Sequence, residues 1–153
     1  MRIWIILASL VVSLTILAGC GRPNSPAGRT GASVLPPASE EEYATTRVTD
    51  AGHFRVTYRS ELDPVSINKI HTWRLHIETA DGLPVENATI VISGGMPEHN
   101  HGMPTQPQVT ANLGDGDYQV EGMKFQMPGW WTVTFVIDDG ATQDSVTFNL
   151  RLQ

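Results

Sequence analysis

The stretch WTVTFVIDDGATQDSVTFNLRL, residues 131–152, decides the fold of this chain. In its first half apolar residues alternate with Thr132 and Thr134, and the alternation resumes from Val146 to Leu152. A period of two residues is that of a β-strand with one buried face, and Asp138-Asp139-Gly140 between the halves is a turn signal. The stretch therefore predicts two neighbouring strands that bury one face in a common core.

The same alternation recurs upstream. The inward-facing sets are Phe54, Val56 and Tyr58, then Trp73, Leu75 and Ile77, then Ala88, Ile90 and Ile92, with shorter candidates at Val109–Ala111 and Tyr118–Val120. About seven short strands with no helical periodicity predict an all-β, immunoglobulin-like antiparallel β-sandwich. The paired cysteines of antibody domains are absent, so this prediction rests on the number and spacing of the strands.

Length and charge exclude several classes of protein. The 153 residues correspond to one ordinary domain, and 10 Lys plus Arg against 16 Asp plus Glu give a net charge of −6. An acidic chain of this kind has no electrostatic footprint for nucleic acid. Its single Cys excludes an intramolecular disulfide and a CxxC redox or zinc motif.

The N-terminus has the pattern of an export signal. A positive start at Arg2 precedes the apolar run Ile3–Leu17, and Leu17-Ala18-Gly19-Cys20 resembles the bacterial lipobox. We therefore predict a lipoprotein signal peptide at residues 1–19 and lipidation of Cys20. The alternative is a permanent membrane anchor, but the run is short against the roughly 20 apolar residues that a spanning helix needs.

Residues 20–47 are predicted to be a tether. They are rich in Gly, Pro, Ser, Ala and Thr and lack the large apolar residues that folding requires. The folded domain is then residues 48–153, held on a membrane by the lipid at Cys20 without spanning it. These features predict a cell-envelope location. In a Gram-negative cell, Gly21 after the lipidated Cys resembles the default sorting signal for the outer membrane, facing the periplasm.

One loop contains an unusual set of side chains. The segment SGGMPEHNHGMPTQP, residues 93–107, holds Met96, His99, His101 and Met103, and the nearby EGMKFQMPGWW, residues 121–131, holds Met123 and Met127. Thioether sulfur favours Cu(I), and imidazole accepts Cu(I) or Cu(II), so the six residues are candidate copper ligands. In an extended loop His99 and His101, two residues apart, would project to the same side.

Other interpretations of these residues stay open. Met123 and Met127 are also suited to core packing near Phe125 and Trp131. His99 and His101 could be exposed residues that hydrogen-bond the backbone, and Glu98 keeps zinc or Cu(II) open. Three further histidines are expected to be structural or surface residues, namely His53, His71 and His76.

The motifs of residues 73–150 resemble the YtkA-like/FixH-like family of bacterial envelope proteins. The residues that carry the resemblance are Asp81-Gly82-x-Pro84-Val85, the block from Met96 to Pro107, Gly116-x-Tyr118, the segment Gly122–Trp131 and Asp144-x-Val146-x-Phe148. The resemblance implies an immunoglobulin-like sandwich outside the cytoplasm. It also implies copper handling or assembly of copper-containing respiratory oxidases, with such proteins as partners. FixH-type proteins are anchored in the membrane by a helix. The lipobox of this chain therefore resembles the YtkA-like proteins of the family more than the FixH-like ones.

No motif predicts an enzyme. The chain has neither GxSxG nor HExxH, and its carboxylate pairs lie in Gly-containing turns, where Asp is common for backbone reasons. Two hypotheses follow. The first is a copper-binding module that hands the ion on, and the second is a metal-free interaction domain that uses the Pro-rich loop with Trp130 and Trp131. Convergence of the Met and His side chains would favour copper.

Overall fold

Nine β-strands make up most of the computed structural model, which describes residues 35–153. The strands are β1 (Thr46–Val48), β2 (Phe54–Ser60), β3 (His71–Thr79), β4 (Thr89–Met96), β5 (His101–Gly102), β6 (Gln108–Gly114), β7 (Asp117–Met123), β8 (Gly129–Asp138) and β9 (Gln143–Leu152), preceded by the 3-10 helix Glu40–Tyr43. The predicted signal peptide, Cys20 and the tether up to residue 34 lie outside the described residues. Within residues 35–153, no helix is long and apolar enough to cross a membrane.

The strands form two antiparallel sheets, in the orders β1-β2-β3-β7-β6 and β5-β4-β8-β9. Without β1 and β5, the orders are β2-β3-β7-β6 and β4-β8-β9, which are the A-B-E-D and C-F-G orders of a constant-type immunoglobulin sandwich. The predicted fold class is confirmed. The two additional strands are three and two residues long, too short for alternation to reveal.

The core consists of the inward-facing residues of both sheets. Trp131, Val133, Phe135 and Ile137 of β8 are fully buried and lie in register with the inward residues of β9. The facing sheet contributes Trp73, Leu75 and Ile77 of β3, all fully buried. The ring of Tyr58 stacks on that of Trp73 with centroids 4.2 Å apart. The apolar residues that alternate in the sequence thus form a core to which both sheets contribute aromatic side chains.

Regular structure begins inside the segment predicted as a tether. The 3-10 helix starts at Glu40, and β1 pairs with β2 from Thr46 onwards. Three contacts with β9 hold the helix. The Asn149 side-chain amide donates to the Glu42 carbonyl at 2.9 Å, and the Arg151 guanidinium lies 4.5 Å from the Tyr43 ring centroid and 3.4 Å from the Glu40 carboxylate. These contacts join distant parts of the chain, so local composition does not reveal them.

Asp144 of β9 joins the β1–β2 loop to the four-stranded sheet. Its buried carboxylate accepts hydrogen bonds from the backbone N–H groups of Ala51, His53 and Ser145, and His53 Nδ1 lies 3.2 Å away. Burial opposes ionisation, but the hydrogen bonds from Thr49 and from these backbone groups outweigh it and hold the pKa of Asp144 well below its usual range. The carboxylate is therefore charged in the folded protein at neutral pH.

Tyr118 of β7 makes a second cross-connection. Its hydroxyl donates to the Val85 carbonyl at 2.6 Å and accepts from the Ala88 N–H at 2.9 Å. The side chain is buried. It fixes the chain that leads into β4, the strand that ends at Met96.

Candidate functional site

The segment 93–107, called the Met/His loop below, begins in the last residues of β4. After a short turn it forms the strand β5, which pairs with β4. Residues 97–100 form a turn, in which the His99 N–H donates to the Met96 carbonyl at 3.1 Å and Asn100 adopts a left-handed φ of 52°. Met96 and His101 then face each other in the β4–β5 register. The rings of His99 and His101 lie side by side with centroids 5.9 Å apart, but the segment between Met96 and His101 is a turn and not the extended loop that was expected. The two imidazoles differ in burial for that reason.

Three candidate ligands share the inner side of the β4–β5 edge. Met96 is buried and cross-strand residues lie on one face of a sheet, so His101 opposite it lies on the same face. The Met103 N–H donates to the Gly94 carbonyl at 3.0 Å, and Met103 packs partly buried against the core. The structure thus brings Met96, His101 and Met103 together on one face.

Glycines make room for both thioethers. A Cβ on Gly94 would stand 2.8 Å from Met103 Sδ, and a Cβ on Gly129 would stand 2.8 Å from Met96 Cε. Real Cβ atoms essentially never stand this close to another atom, so a side chain at either position would force the end of the methionine to shift, and at Gly94 the Thr132 carbonyl is equally close. The two methionine side chains therefore occupy space that any other residue at 94 or 129 would take from them.

His101 has one satisfied and one unsatisfied nitrogen. Nδ1 lies 3.0 Å from the Gly102 carbonyl, which makes it the N–H donor, and Nε2 is buried without a hydrogen-bond partner. The ring meets Trp131 edge-on, with centroids 5.6 Å apart. An imidazole whose other nitrogen donates to a backbone carbonyl is arranged as metal-ligating histidines usually are.

Gln126 belongs to the same site and was not predicted. Its Nε2 lies 3.5 Å from the Gly102 carbonyl and 3.4 Å from His101 Nδ1, and its Oε1 is buried without a partner. Gln126 lies between Met123 and Met127, so its place in that segment was the available signal. Gly94 and Gly129 were also missed, because a glycine that makes room for a side chain leaves no chemical pattern.

His99 lies at the surface of the turn. It is exposed, and its ring stacks against that of His101 with centroids 5.9 Å apart and planes inclined at 24°. Glu98, which kept zinc and Cu(II) open, is exposed beside it. Within residues 35–153, no three His, Cys, Asp or Glu side chains converge as a metal site.

Met123 and Met127 lie in different surroundings. Met123 is fully buried at the end of β7, opposite His71 in the register of β3. Met127 is 37% exposed in the β7–β8 loop, and its carbonyl accepts from the Trp131 indole at 3.0 Å. The Thr105 hydroxyl donates to the Gly122 carbonyl at 2.6 Å, which joins the end of the Met/His loop to the strand of Met123.

The two tryptophans that the second hypothesis invoked point in opposite directions. Trp131 is fully buried, whereas Trp130 is half-buried on the outer side of β8 and donates its indole N–H to Asn149 at 2.9 Å. Trp130 is therefore partly engaged within the domain.

The three remaining histidines have local partners. His71 is buried, with Nδ1 3.2 Å from the Lys69 carbonyl and Nε2 accepting from the Trp73 indole at 3.0 Å. His76 Nδ1 lies 2.8 Å from the Asp117 carboxylate on the outer side of the five-stranded sheet. His53 lies beside Asp144. Each is bound into the structure away from the β4–β5 edge.

Comparisons with known proteins support the resemblance that the motifs indicated. The YtkA-like family model matches residues 49–136, from the end of β1 into β8, and includes the whole Met/His loop. The FixH-like part of the resemblance stays a prediction. Among solved structures, the ZirS C-terminal domain is similar at 15% identity and a TM-score of 0.42, over 90% of this chain and 95% of that chain, which is too weak to carry an argument. No curated protein sequence matches significantly.

Proposed function

We propose that this chain, which belongs to the YtkA-like family, binds Cu(I) at the β4–β5 edge and passes it to a copper protein outside the cytoplasm. The observation that carries the proposal is the buried, unpartnered Nε2 of His101 on the same face as Met96 and Met103. A buried polar atom without a partner costs free energy, about 1–3 kcal/mol. A bound ion would remove that cost.

The donor set fits copper better than zinc. Two thioethers and one neutral imidazole are soft or intermediate donors, which Cu(I) accepts and which are unusual for Zn(II). Of the six candidate ligands, Met96, His101 and Met103 have the strongest structural support. Met127 would contribute only if the β7–β8 loop closed over the edge, and Met123 is fully buried at the end of β7.

A site with few donors suits delivery rather than storage. A small coordination number allows an acceptor to replace the ligands one at a time, with copper remaining Cu(I) throughout. We infer a carrier or assembly factor and not an enzyme. Its partner would be a copper protein such as a respiratory oxidase, reached from a lipid anchor at Cys20 in the cell envelope.

Anaerobic titration with Cu(I) against a chromophoric chelator tests the proposal. The unlipidated full chain is used in detergent, with Cys20→Ser in every sample, because without the predicted lipid the single thiol would bind the ion. We expect one Cu(I) per chain. The Met96→Leu/Met103→Leu double variant should weaken binding by at least about tenfold, because Leu keeps the packing and removes the sulfur.

His101→Phe should weaken Cu(I) binding similarly, since it keeps the ring against Trp131 and removes both nitrogens. His76→Gln, on the outer side of the other sheet, is the matched control and should bind as the parent does. If the parent cannot compete even with a weak chelator, the copper proposal is wrong. The Met/His loop would then best be explained as a surface for a protein partner, with Trp130 beside it.

A further inference from the structure

His99 and His101 are neighbours that differ in exposure. The rings stack with centroids 5.9 Å apart, but His99 is exposed whereas Nε2 of His101 has no contact with solvent. Met96, the residue opposite His101, is only 1% exposed. The Nε2 atom of His101 and the side chain of Met96 are therefore out of reach of a donor or acceptor protein in the structure as it stands, although His101 as a whole is only half-buried.

Ligand exchange between proteins needs a donor atom that both sides can reach. The His99 side chain meets this requirement, since the turn at 97–100 places it at the surface while its ring contacts that of His101. Met127 is the other exposed soft donor nearby. Its loop is fixed through its carbonyl to the Trp131 indole, whereas the ring of His99 stacks on that of His101. His99 is therefore the better-placed relay.

Resting on the Cu(I) binding proposed above, we propose that His99 is the transfer ligand of the site and not one of its resident ligands. In loading, a bond from copper to His99 forms as a bond to the donor protein breaks. A bond to His101 Nε2 then forms as the bond to His99 breaks, and unloading is the reverse. Each step exchanges one neutral donor for another, so copper stays Cu(I) and no electron moves.

This role has a kinetic signature that a resident ligand cannot produce. A group that only lowers the barrier to exchange changes the loading and unloading rate constants by the same factor and leaves their ratio, the affinity, unaltered. A resident ligand changes the affinity itself, mainly through the unloading rate. The two roles are separable with one variant and two measurements.

The experiment uses the full chain in detergent with Cys20→Ser. Cu(I) transfer to and from a chromophoric chelator is followed by stopped flow, and the affinity is taken from the equilibrium titration. For His99→Gln we expect loading and unloading each to slow by about tenfold, with an affinity within about threefold of the parent. Met127→Leu should change neither rate. Circular dichroism checks that both variants are folded, as their exposed positions predict.

Each alternative result overturns the inference in a different way. An affinity loss for His99→Gln as large as that for His101→Phe would make His99 a resident ligand. Unchanged rates would make it a bystander, and slower transfer in Met127→Leu alone would assign the relay to Met127. In all three cases the parent still binds Cu(I) and the proposed function stands. If the parent binds no Cu(I), both proposals fail.

Discussion

The Cε atom of Met96 lies over Gly129, only 2.8 Å from the place of a Cβ on that glycine. Gly129 opens β8 with a φ of 121°, and Met96 ends the neighbouring strand β4. The position of this thioether therefore depends on a residue 33 positions further along the chain that has no donor atom of its own.

Gly129→Ala should displace Met96 and weaken Cu(I) binding. Because φ at this position is in the region that favours glycine, the variant should also lose about 1–2 kcal/mol of unfolding free energy. Gly140→Ala is the control, since Gly140 has a φ of 89° and nothing within 4 Å of an added Cβ. Both variants should be destabilised in urea, but only Gly129→Ala should bind less copper. Equal affinities in the two would show that Cu(I) binding does not depend on the position of the Met96 side chain over Gly129.

Asp144→Asn should remove a pH-dependent part of the stability. The pKa of Asp144 is lowered on folding, so its contribution is present above the unfolded pKa of about 3.9 and is lost as the pH falls towards the folded pKa. Urea unfolding at pH 7 should show a loss of about 2 kcal/mol, and the difference from the parent should shrink below about pH 4. Asp81→Asn, at an exposed turn, should have no such effect. A pH-independent difference would contradict the prediction.

Tyr118→Phe should destabilise the domain by about 1–3 kcal/mol, because it leaves the Val85 carbonyl and the Ala88 N–H without their partner. Tyr43→Phe provides the comparison. The Tyr43 hydroxyl donates a long hydrogen bond, 3.4 Å to the Pro37 carbonyl, at a half-buried position. Tyr118→Phe should lower the midpoint temperature of thermal unfolding more than Tyr43→Phe does. Equal midpoints would mean that the buried bridge contributes little.

His71→Phe should separate structure from metal binding. It leaves the Trp73 indole N–H buried without its acceptor, so the unfolding free energy should fall by about 1–3 kcal/mol. Cu(I) stoichiometry and affinity should match those of the parent, because the hydrogen bonds of His71 are with the Trp73 indole and the Lys69 carbonyl. A variant that stays folded and loses copper would place His71 in the site.

The strands could be predicted from the sequence where each buries a full alternating face. Trp131, Val133 and Phe135 show this in β8, and Trp73 and Leu75 show it in β3. By contrast β5 has two residues, and its existence depends on pairing with β4 after a turn. Local pattern cannot reveal a strand of that length.

The ligand types of the site could be predicted, but their arrangement could not. Clustering of Met and His pointed to the loop, yet the exposure of His99 and the burial of His101 Nε2 follow from the left-handed Asn100 and from packing on Trp131. Gln126 joins the site from the β7–β8 loop and Gly129 from β8, through contacts with residues distant in the sequence. Such contacts are a property of the folded sheets and not of any one segment.

The contacts between β9 and the 3-10 helix determine how a mechanical force applied before the helix enters the domain. A pull applied at residue 35 reaches the Glu42–Asn149 hydrogen bond and the Tyr43–Arg151 contact before it reaches the short strand β1. β9 is paired along its length with β8, so the force then passes into the four-stranded sheet that carries Met96 and His101. The force needed to detach the 3-10 helix from the domain therefore depends on the side chains of Asn149 and Arg151, close to the C-terminus.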